Sequence, residues 1–539
     1  MQDLSWWKHA VIYQIYPRSF QDTNGDGVGD LNGIRRRLDY LVELGVDAIW
    51  ISPIYPSPMA DFGYDVADYC RIDPLFGTMS DFDLLLEEAH SRGLRLVLDF
   101  VPNHTSDQHP WFVESRSSRD NPKRDWYLWR DEPNNWQSHF GGSAWEFDEK
   151  TLQYYLHEFL KEQPDLNWRN PAVKAAMFDT LRFWLRKGVD GFRVDVMWLL
   201  IKDDQFRDNP PNPAYKIDQG SREKFLPVYD SDRPEVHPLV AEMRAVLDEF
   251  GDRVLIGEIY LPIPRLMQYY GPELLGANLP FNFQLLQCAW TADDLEQTIG
   301  KYMSALPSGA WPNWVLGNHD RPRIASRVGI EKARAAALLL LSLPGTLTVY
   351  YGEELGMQDV SIPPDEAKDP AEKRQPGIAM GRDPERTPMP WDNSARCGFT
   401  AGEPWLPIGD ANRAVNVESS EKERDSMLAL YRRLLRLRRT EPVLVSGQLT
   451  DLSASDGVLH FVRSDGKKSF RIVINLTDEA RQIAMQTGVI TACTETQRDG
   501  EPIHGQLHLK RAEAAIIEQF GRAARDSFRG EDSGPNPSR

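Results

Sequence analysis

Three acidic residues follow three short apolar runs, each at the point where a buried strand would give way to a loop. They are Asp195 in GFRVDVMW, Glu258 in VLIGEIY and Asp320 in WVLGNHDRPR. In a closed parallel barrel the carboxyl ends of the strands form one rim, so the three carboxylates would meet in one pocket. Arg193 stands two residues before Asp195. Crowded carboxylates beside a fixed cation indicate glycosidic bond chemistry.

The elements that must position these acids alternate between strand and helix over the first hundred residues. Apolar, β-rich runs predict strands at Val11–Tyr16, Ala48–Ser52 and Leu94–Phe100. Helical periodicity predicts helices at Leu31–Leu44 and Asp81–Ser91. Repeated βα units predict a parallel sheet, either closed or doubly wound. No G-x-G-x-x-G motif follows the first strand, which disfavours the dinucleotide-binding variant.

This alternation breaks after His104, where a tryptophan-rich stretch shows little helical period. A βα loop of that length is anomalous unless it forms a small domain of its own. The alternation resumes with a helix at Ala172–Lys187 and a strand at Val189–Val194, and a helix at Glu421–Arg439 closes the barrel. Further strands are predicted at Val254–Gly257, Asn278–Phe281, Trp314–Leu316 and Thr346–Tyr350. Beyond Pro442 the short alternating runs Val458–Arg463, Phe470–Asn475 and Ala514–Ile517 predict antiparallel strands.

These patterns divide the chain into four parts. We predict a barrel over residues 1–103 and 173–440, an inserted domain over 104–172, and a C-terminal antiparallel β domain over 441–520. Residues 521–539 are polar and rich in Gly, Ser, Pro and Arg, so we expect a frayed, flexible tail.

Composition and charge limit the partners of the chain. A hydrophobic share of 41% and a charged share of 26% over 539 residues are those of an ordinary soluble globular protein. The net charge of −18 argues against nucleic acid or an anionic membrane as a partner. The four cysteines are far apart, with no C-x-x-C pair, no signal peptide is apparent, and no apolar run is long enough to span a bilayer. We therefore expect a cytoplasmic location.

Several ordered motifs resemble those of the α-amylase superfamily of glycoside hydrolases. They are DFVPNHTS, QPDLNW, GFRVDV, GEIY and GNHD, and QPDLN is the form typical of the oligo-1,6-glucosidase and α-glucosidase branch. VIYQIYPRSF, DFGYDVADY and GRDPERTPMPW also look like that branch. The resemblance implies a (β/α)₈ TIM barrel, a domain B inserted after the third strand, and a C-terminal antiparallel β-sandwich. The partition reached from the periodicity alone is the same.

The resemblance also implies retaining hydrolysis through a covalent glucosyl intermediate, which needs two carboxyl groups about 5–5.5 Å apart. Asp195 would be the ionised nucleophile, with the positive charge of Arg193 holding its pKa down. Glu258 would be the general acid and then the base, with a pKa raised by neighbouring carboxylates. Asp320 would bind sugar hydroxyls and stabilise the distorted transition state.

Further residues in the matched motifs are expected to bind the sugar. His104 and His319 would donate hydrogen bonds to the glucose, and Asp61, Tyr64 and Asp99 would complete the pocket, although Asp99 could equally orient Arg193. Arg386 resembles the arginine that pairs with Asp61 at the blind end of the pocket in exo-acting relatives, and Arg382 is the competing candidate. A blind end would confine the enzyme to single glucosyl units at a non-reducing terminus.

The segment DTNGDGVGD carries oxygen side chains at positions 1, 3, 5 and 9 with Gly at position 6, like the first part of a Ca²⁺-binding loop. The bidentate Glu at position 12 is absent. Since the branch carries a structural cation here, the expected ligands of Ca²⁺ or Mg²⁺ are Asp22, Asn24, Asp26, the Val28 carbonyl and Asp30. The alternative is a metal-free turn that ends in a helix N-cap before Leu31.

Two features of the sequence give conflicting predictions of the linkage that is cleaved. Val196 follows the nucleophile, and in this branch valine there accompanies α-1,6 cleavage. The segment FRDNPPNPAY at Phe206–Tyr215 looks like that of bacterial α-glucosidases that prefer maltose-like α-1,4 substrates, and we favour α-1,4.

A sugar or alcohol acceptor in place of water would give transglucosylation. Sucrose isomerases carry an RLDRD-like segment where this chain has Arg321-Pro322-Arg323, which disfavours that activity. A further alternative is a non-catalytic transporter subunit of the same family, which would lack the catalytic acids, whereas this chain has all three. For the oligomeric state we expect a monomer or a homodimer.

Overall fold

The computed structural model describes residues 5–217, 219–378 and 380–519. Up to residue 351 its strands are, in chain order, β1 (Val11–Ile15), β2 (Ala48–Ile51), β3 (Arg95–Phe100), β4 (Trp129–Arg130), β5 (Trp145–Asp148), β6 (Gln153–Leu156), β7 (Gly191–Val194), β8 (Val254–Gly257), β9 (Leu279–Pro280), β10 (Asn313–Val315) and β11 (Thr346–Tyr350). Eight of them form one parallel sheet in the order β10-β11-β1-β2-β3-β7-β8-β9. The sheet curls into a nearly closed barrel, so the predicted fold is confirmed.

One side chain bridges the two ends of this sheet. Pro280 in β9 has no N–H and cannot donate to a ladder with β10. Instead the Asn313 amide on β10 donates to the Pro280 carbonyl at 2.7 Å, and its oxygen accepts from the Asn282 N–H at 2.9 Å. The Asn313 side chain therefore supplies the hydrogen bonds that the backbone cannot.

Helices cover the outside of the barrel. The helices of six or more residues span Leu31–Arg36, Leu38–Leu44, Met79–Ser91, Pro110–Ser115, Pro171–Lys187, Val236–Asp248, Ala292–Ala305, Ile330–Ser342, Val417–Lys422 and Met427–Thr440. Of these, Pro110–Ser115 belongs to the stretch inserted after β3. The helix predicted at 31–44 is two helices, because Arg37 (φ −104°, ψ 8°) leaves helical geometry. The helix predicted at 421–439 starts at Met427, where the Ser426 hydroxyl caps it by accepting from the Ala429 N–H.

The stretch from 104 to 172 forms its own small sheet, with antiparallel strands in the order β4-β6-β5. Trp136, Ala144, Trp145 and Leu156 make a local apolar cluster behind it. A single bridge between His104 and Asp165 ties the start of the stretch to its end. The stretch from 104 to 172 therefore leaves the barrel after β3 and returns to it at nearly the same place.

The C-terminal region is antiparallel. Its strands are β12 (Gln448–Ser455), β13 (Val458–Ser464), β14 (Ser469–Asn475), β15 (Arg481–Ala484), β16 (Gly488–Cys493), β17 (Pro502–Ile503), β18 (Gln506–Leu509) and β19 (Ala514–Gln519). Six form a sheet in the order β12-β13-β14-β19-β16-β17, and β15 pairs with β18. Buried Arg438 and Arg463 donate to backbone carbonyls at this junction, including those of Leu341 and Ser342 at the end of a barrel helix. The domain boundaries at 103/104, 172/173 and 440/441 stay predictions, and the predicted tail at 521–539 lies outside the described residues.

None of the helices in the described stretches combines the length and the apolar character that a bilayer crossing needs. Cys70, Cys288, Cys397 and Cys493 are all free.

Candidate active site

Arg193 lies at the floor of the barrel mouth and contacts three carboxylates. It is on β7, beside Asp99 on β3, and only 1% of its surface is exposed. One guanidinium nitrogen, Nη1, is 2.8 Å from Asp99 Oδ1 and 2.7 Å from Asp195 Oδ1, and Nη2 is 2.6 Å from Glu258 Oε2. The predicted convergence of Asp195 and Glu258 is thus observed, with Arg193 as the cation that joins them.

Asp195 and Glu258 follow β7 and β8 and line one cavity of about 890 Å³. Burial raises the pKa of both carboxyls, and Arg193 opposes it. The two carboxyls also share a hydrogen bond. The expected depression of the Asp195 pKa is wrong for the free protein, since burial and the nearby carboxylates outweigh Arg193 and raise it well above its usual range. Burial therefore favours the protonated form of both carboxyls more than water does.

Asp320 follows β10 and is held by two arginines. Its Oδ1 is 2.8 Å from Arg386 Nη2 and 3.4 Å from Arg382 Nη1. Burial alone would raise the Asp320 pKa, but His319 and these guanidinium groups outweigh it and lower the pKa below its usual value. Asp320 is therefore an anion in the same cavity that holds the Asp195–Glu258 pair.

His319 and Tyr64 form a stacked pair in the cavity wall. Their rings are 5.3 Å apart at 6°, and the Tyr64 hydroxyl is 2.6 Å from His319 Nε2. The same hydroxyl donates to Asp99 Oδ2 at 3.1 Å, and the Gln14 amide contacts His319 Nδ1 at 2.8 Å. Burial lowers the His319 pKa well below its usual value, so the imidazole is neutral at pH 7.

His104 also lines the cavity as a neutral imidazole, because burial and the charge of Lys202 lower its pKa to about 3. Its Nε2 lies 3.1 Å from the Tyr64 carbonyl oxygen and 3.1 Å from the Gln163 amide. Gln163 reaches Asp61 Oδ2 at 3.3 Å as well. The QPDLNW motif was noted in the sequence, but only the structure assigns Gln163 to the cavity.

The partner of Asp61 is Arg382, which corrects the pairing expected for Arg386. Arg382 Nη2 is 2.6 Å from Asp61 Oδ1 and 2.6 Å from Asp369 Oδ1. Arg386 is instead fully buried, with its Nε donating to the His319 carbonyl at 2.7 Å and its Nη2 on Asp320. Both arginines reach Asp320, but only Arg382, which precedes the short 3₁₀ helix Pro384–Arg386, also reaches Asp61.

Burial raises the pKa of Asp61 to about 6, although Arg382 opposes the shift. The pKa of Asp99 is raised to about 6 by the same cause, against Arg193. Both carboxylates are consequently ionised at pH 7 and become protonated in mild acid.

Val196 has a left-handed backbone, φ 38° and ψ 47°. Such a conformation is strained for a β-branched residue and is found chiefly at functional sites. Here it aims the Val196 N–H at Glu258 Oε2, 2.8 Å away, directly after the nucleophile candidate. Sequence pattern gave no sign of this strain.

One side of the cavity is formed by residues that the sequence did not single out. They are Trp198, Arg222, Val228, Arg233, Tyr260 and Arg265. Arg321, from the Arg321-Pro322-Arg323 segment noted in the sequence, lies beside them with its guanidinium over the Tyr260 ring at 5.1 Å. The segment Phe206–Tyr215 does not line the cavity, because it packs on the inserted stretch, where the Phe206 carbonyl accepts from Arg130 and Asn134. The chain that continues from it, 222–234, forms the wall.

The Asp22–Asp30 loop lies apart from this cavity. Asp22 accepts from the N–H groups of Asn24, Gly25 and Gly27, and Asp26 accepts from Val28. Asp30 caps the helix Leu31–Arg36 by accepting from Gly33, as the alternative predicted. In the described part of the chain no three His, Cys, Asp or Glu side chains are placed to hold a metal ion.

Comparisons with known proteins agree with this geometry. Residues 14–447 match the family model described as alpha amylase, catalytic domain. The chain is 41% identical over 517 residues to the oligo-1,6-glucosidase of Parageobacillus thermoglucosidasius. The aligned region covers 88% of this chain and 91% of the relative. It is 43% identical over 500 residues to a probable alpha-glucosidase of Rhizobium meliloti (strain 1021), covering 89% and 90%.

Among solved structures, the α-glucosyl transfer enzyme XgtA superposes with a TM-score of 0.91 at 38% identity, covering 96% of this chain and 100% of that one. The family model spans far more than half of the sequence. The chain belongs to the α-amylase family of glycoside hydrolases.

Proposed function

We propose that the protein is a retaining, exo-acting α-glucosidase. It would release single glucosyl units from the non-reducing end of short α-glucosides. The observation that supports this best is the contact of one buried guanidinium, Arg193, with both Asp195 and Glu258 at the floor of one cavity. That arrangement keeps the two carboxyl groups close enough for attack from one and protonation by the other at the same bond.

In this mechanism Asp195 attacks the anomeric carbon and forms a glucosyl ester, while Glu258 donates its proton to the departing glycosidic oxygen. Glu258 then removes a proton from water, which attacks the ester and frees Asp195. For the first step the buried pair must hold one proton, and that proton must reside on Glu258. Asp320 stays ionised between its arginines, where it would favour the positive charge that develops on the sugar ring.

Exo action is supported by the ion pairs at one end of the cavity. Arg382 joins Asp61 to Asp369 there, and Asp61 lines the cavity beside His104 and Gln163. A terminal glucose would place its hydroxyl groups against this charged end, and a longer chain would not pass it. His104 and His319, neutral at pH 7, would hydrogen-bond the same glucose.

For the linkage we favour α-1,4, with α-1,6 as the alternative. Val196 favours α-1,6, whereas the segment 206–215 favours α-1,4 and leads into the wall formed by 222–234. The relatives are named for both activities. Parallel kinetics with maltose, isomaltose and sucrose test this: a higher kcat/KM for isomaltose than for maltose would overturn the preference.

Transfer of glucose to a sugar or alcohol acceptor is a second candidate. Its support is the close similarity to an α-glucosyl transfer enzyme. The same time course distinguishes it, because transfer products would then precede free glucose. Hydrolysis without such products would exclude a transferase as the main activity.

We also propose that the Asp22–Asp30 loop binds a structural Ca²⁺ or Mg²⁺. The support is chemical, since hard cations prefer the carboxylate, amide and carbonyl oxygens found at alternate positions there. Asp22, Asn24, Asp26, the Val28 carbonyl and Asp30 would hold the ion, which would take no part in catalysis. The cytoplasmic location and the monomeric or homodimeric state stay predictions.

A further inference from the structure

Glu385 is a buried residue of the active-site cavity whose carboxyl group has no side-chain partner within the described ranges. It lines the cavity and only 2% of its surface is exposed. Among the described residues no side chain forms a hydrogen bond or ion pair with its carboxyl group. By contrast, Asp61, Asp195, Glu258 and Asp320 in the same cavity each contact an arginine. A carboxyl that lines a cavity and has no side-chain partner is available to hydrogen-bond a ligand there.

The backbone around Glu385 is fixed on both sides. Its carbonyl accepts from the Tyr350 hydroxyl at 3.1 Å, and the preceding Pro384 carbonyl accepts from the Val360 N–H at 3.1 Å. The next residue, Arg386, is anchored to Asp320. The main chain at Glu385 is therefore held in place in the cavity wall, near Asp320.

The charged groups around Glu385 come from four directions. Arg386 follows it in the chain, Asp320 comes from the loop after β10, and Asp359 and Arg323 come from neighbouring loops. Burial raises the Glu385 pKa well above its usual range, Arg386 opposes this, and Asp359 and Asp320 add to it. The fold therefore favours the neutral form of this carboxyl more than water does.

A neutral carboxylic acid can donate through its O–H and accept through its C=O. A sugar hydroxyl is the matching partner, since it also donates and accepts. A carboxylate at this position would lack the donor and would add negative charge next to Asp320. The neutral form suits an uncharged, hydroxyl-rich ligand.

We propose that Glu385 is a substrate-binding residue whose carboxyl group forms a hydrogen bond with a hydroxyl group of the bound sugar. The proposal rests on the proposed α-glucosidase function and adds to it a specificity contact that acts in binding rather than in bond cleavage. A substrate that lacks the contacted hydroxyl would lose this contact.

The test compares Glu385→Ala and Glu385→Gln in the full-length enzyme with maltose at pH 6.5–9, with the melting temperature of each variant measured in parallel. Glutamine has nearly the shape of the protonated acid and keeps one donor and one acceptor. We expect Glu385→Ala to raise KM about tenfold with kcat within about threefold of wild type, since a lost hydrogen bond to a substrate hydroxyl is worth about that much in affinity. We expect Glu385→Gln to restore KM to within about threefold.

The control is Glu353→Gln. Glu353 is a buried carboxyl whose pKa burial raises to about 8, but it accepts from the Tyr431 hydroxyl at 2.8 Å and does not line the cavity. This variant should keep the KM of the wild type. A purely structural role for Glu385 would instead lower the melting temperature of Glu385→Ala without this split between KM and kcat.

An unchanged KM in Glu385→Ala would overturn the proposal. Absence of maltose hydrolysis by the wild type would instead refute the proposed function.

Discussion

Arg382 Nη2 lies 2.6 Å from Asp61 Oδ1, and both residues line the cavity. Arg382 is fixed from behind by Asp369, whose carboxylate accepts from both its Nε and Nη2. Two carboxylates thus compete for one guanidinium, and the one that lines the cavity, Asp61, can still accept from a ligand. In the proposed function this pair is both the blind end of the pocket and a binding group for the terminal glucose.

Removing this guanidinium should disable recognition of terminal glucose. Arg382→Ala leaves Asp61 and Asp369 buried without their cation, and truncating one member of such a pair costs about 2–5 kcal/mol. We expect kcat/KM for maltose to fall at least about 100-fold. Arg182→Ala, which removes an exposed pair with Glu249, is the control and should change little. An Arg382→Ala enzyme with wild-type kinetics on maltose would show that the pair does not bind substrate.

Substrates with different leaving groups should distinguish the roles of Asp195 and Glu258. Glu258→Gln removes the proton donor, so hydrolysis of maltose should fall about 10²–10⁴-fold. p-Nitrophenyl α-glucoside, whose leaving group needs little protonation, should be affected far less. Asp195→Asn removes the nucleophile and should abolish hydrolysis of both substrates.

Mass spectrometry of the enzyme after rapid acid quench provides the direct check. A covalent glucosyl adduct should accumulate in Glu258→Gln with the activated substrate, and it should be absent in Asp195→Asn. An adduct on Asp195→Asn would assign the nucleophile to another residue.

The sequence was sufficient to predict the barrel and the meeting of Asp195, Glu258 and Asp320. Apolar runs followed by an acid fix the strand ends, and parallel strands bring those ends to one rim. It was not sufficient to assign Arg382 rather than Arg386 to Asp61, because the two lie four residues apart, both reach Asp320, and a single 3₁₀ turn decides which one also reaches Asp61.

The net effect of burial and neighbouring charges on the Asp195 pKa could also not be predicted from the sequence. The spacing of Arg193 and Asp195 correctly predicted their contact, but not the direction of the Asp195 pKa shift. That direction depends on how much water the fold removes and on Glu258, Asp99 and Asp320 arriving from other strands. The left-handed conformation of Val196 and the burial of Glu385 in the cavity wall likewise arise only from packing.

Activity should decline in mild acid through Asp61. Its pKa of about 6 means that the carboxylate is protonated as pH falls below 6, which breaks the ion pair with Arg382. We expect kcat/KM for maltose to fall tenfold per pH unit at pH values well below 6. An acid limb that begins only below pH 4 would contradict this assignment.

The same shift has the opposite effect on stability. Because the folded-state pKa of Asp61 exceeds its unfolded value of about 3.9, the native protein binds the proton more tightly. The contribution of Asp61 to stability is therefore present in full below pH 4 and lost as pH rises through 6. Asp61→Asn should reduce the slope of melting temperature against pH between 4 and 6, compared with the wild type. An unchanged slope would show that Asp61 has no raised pKa in the free protein.

Cation binding at the Asp22–Asp30 loop would appear as a change in stability rather than in kcat. A ligand that binds only the native state at 100 times its Kd adds about 2.7 kcal/mol, so Ca²⁺ should raise the melting temperature and a chelator should lower it. Asp26→Ala should abolish this response while leaving the Asp30 helix cap intact. Asp68→Ala, at an exposed acid in a surface pair with Arg71, should leave it unchanged. Asp30→Ala should lower stability by about 1 kcal/mol even without the ion, because it removes the cap. A melting temperature insensitive to both Ca²⁺ and chelator would establish the loop as a metal-free turn.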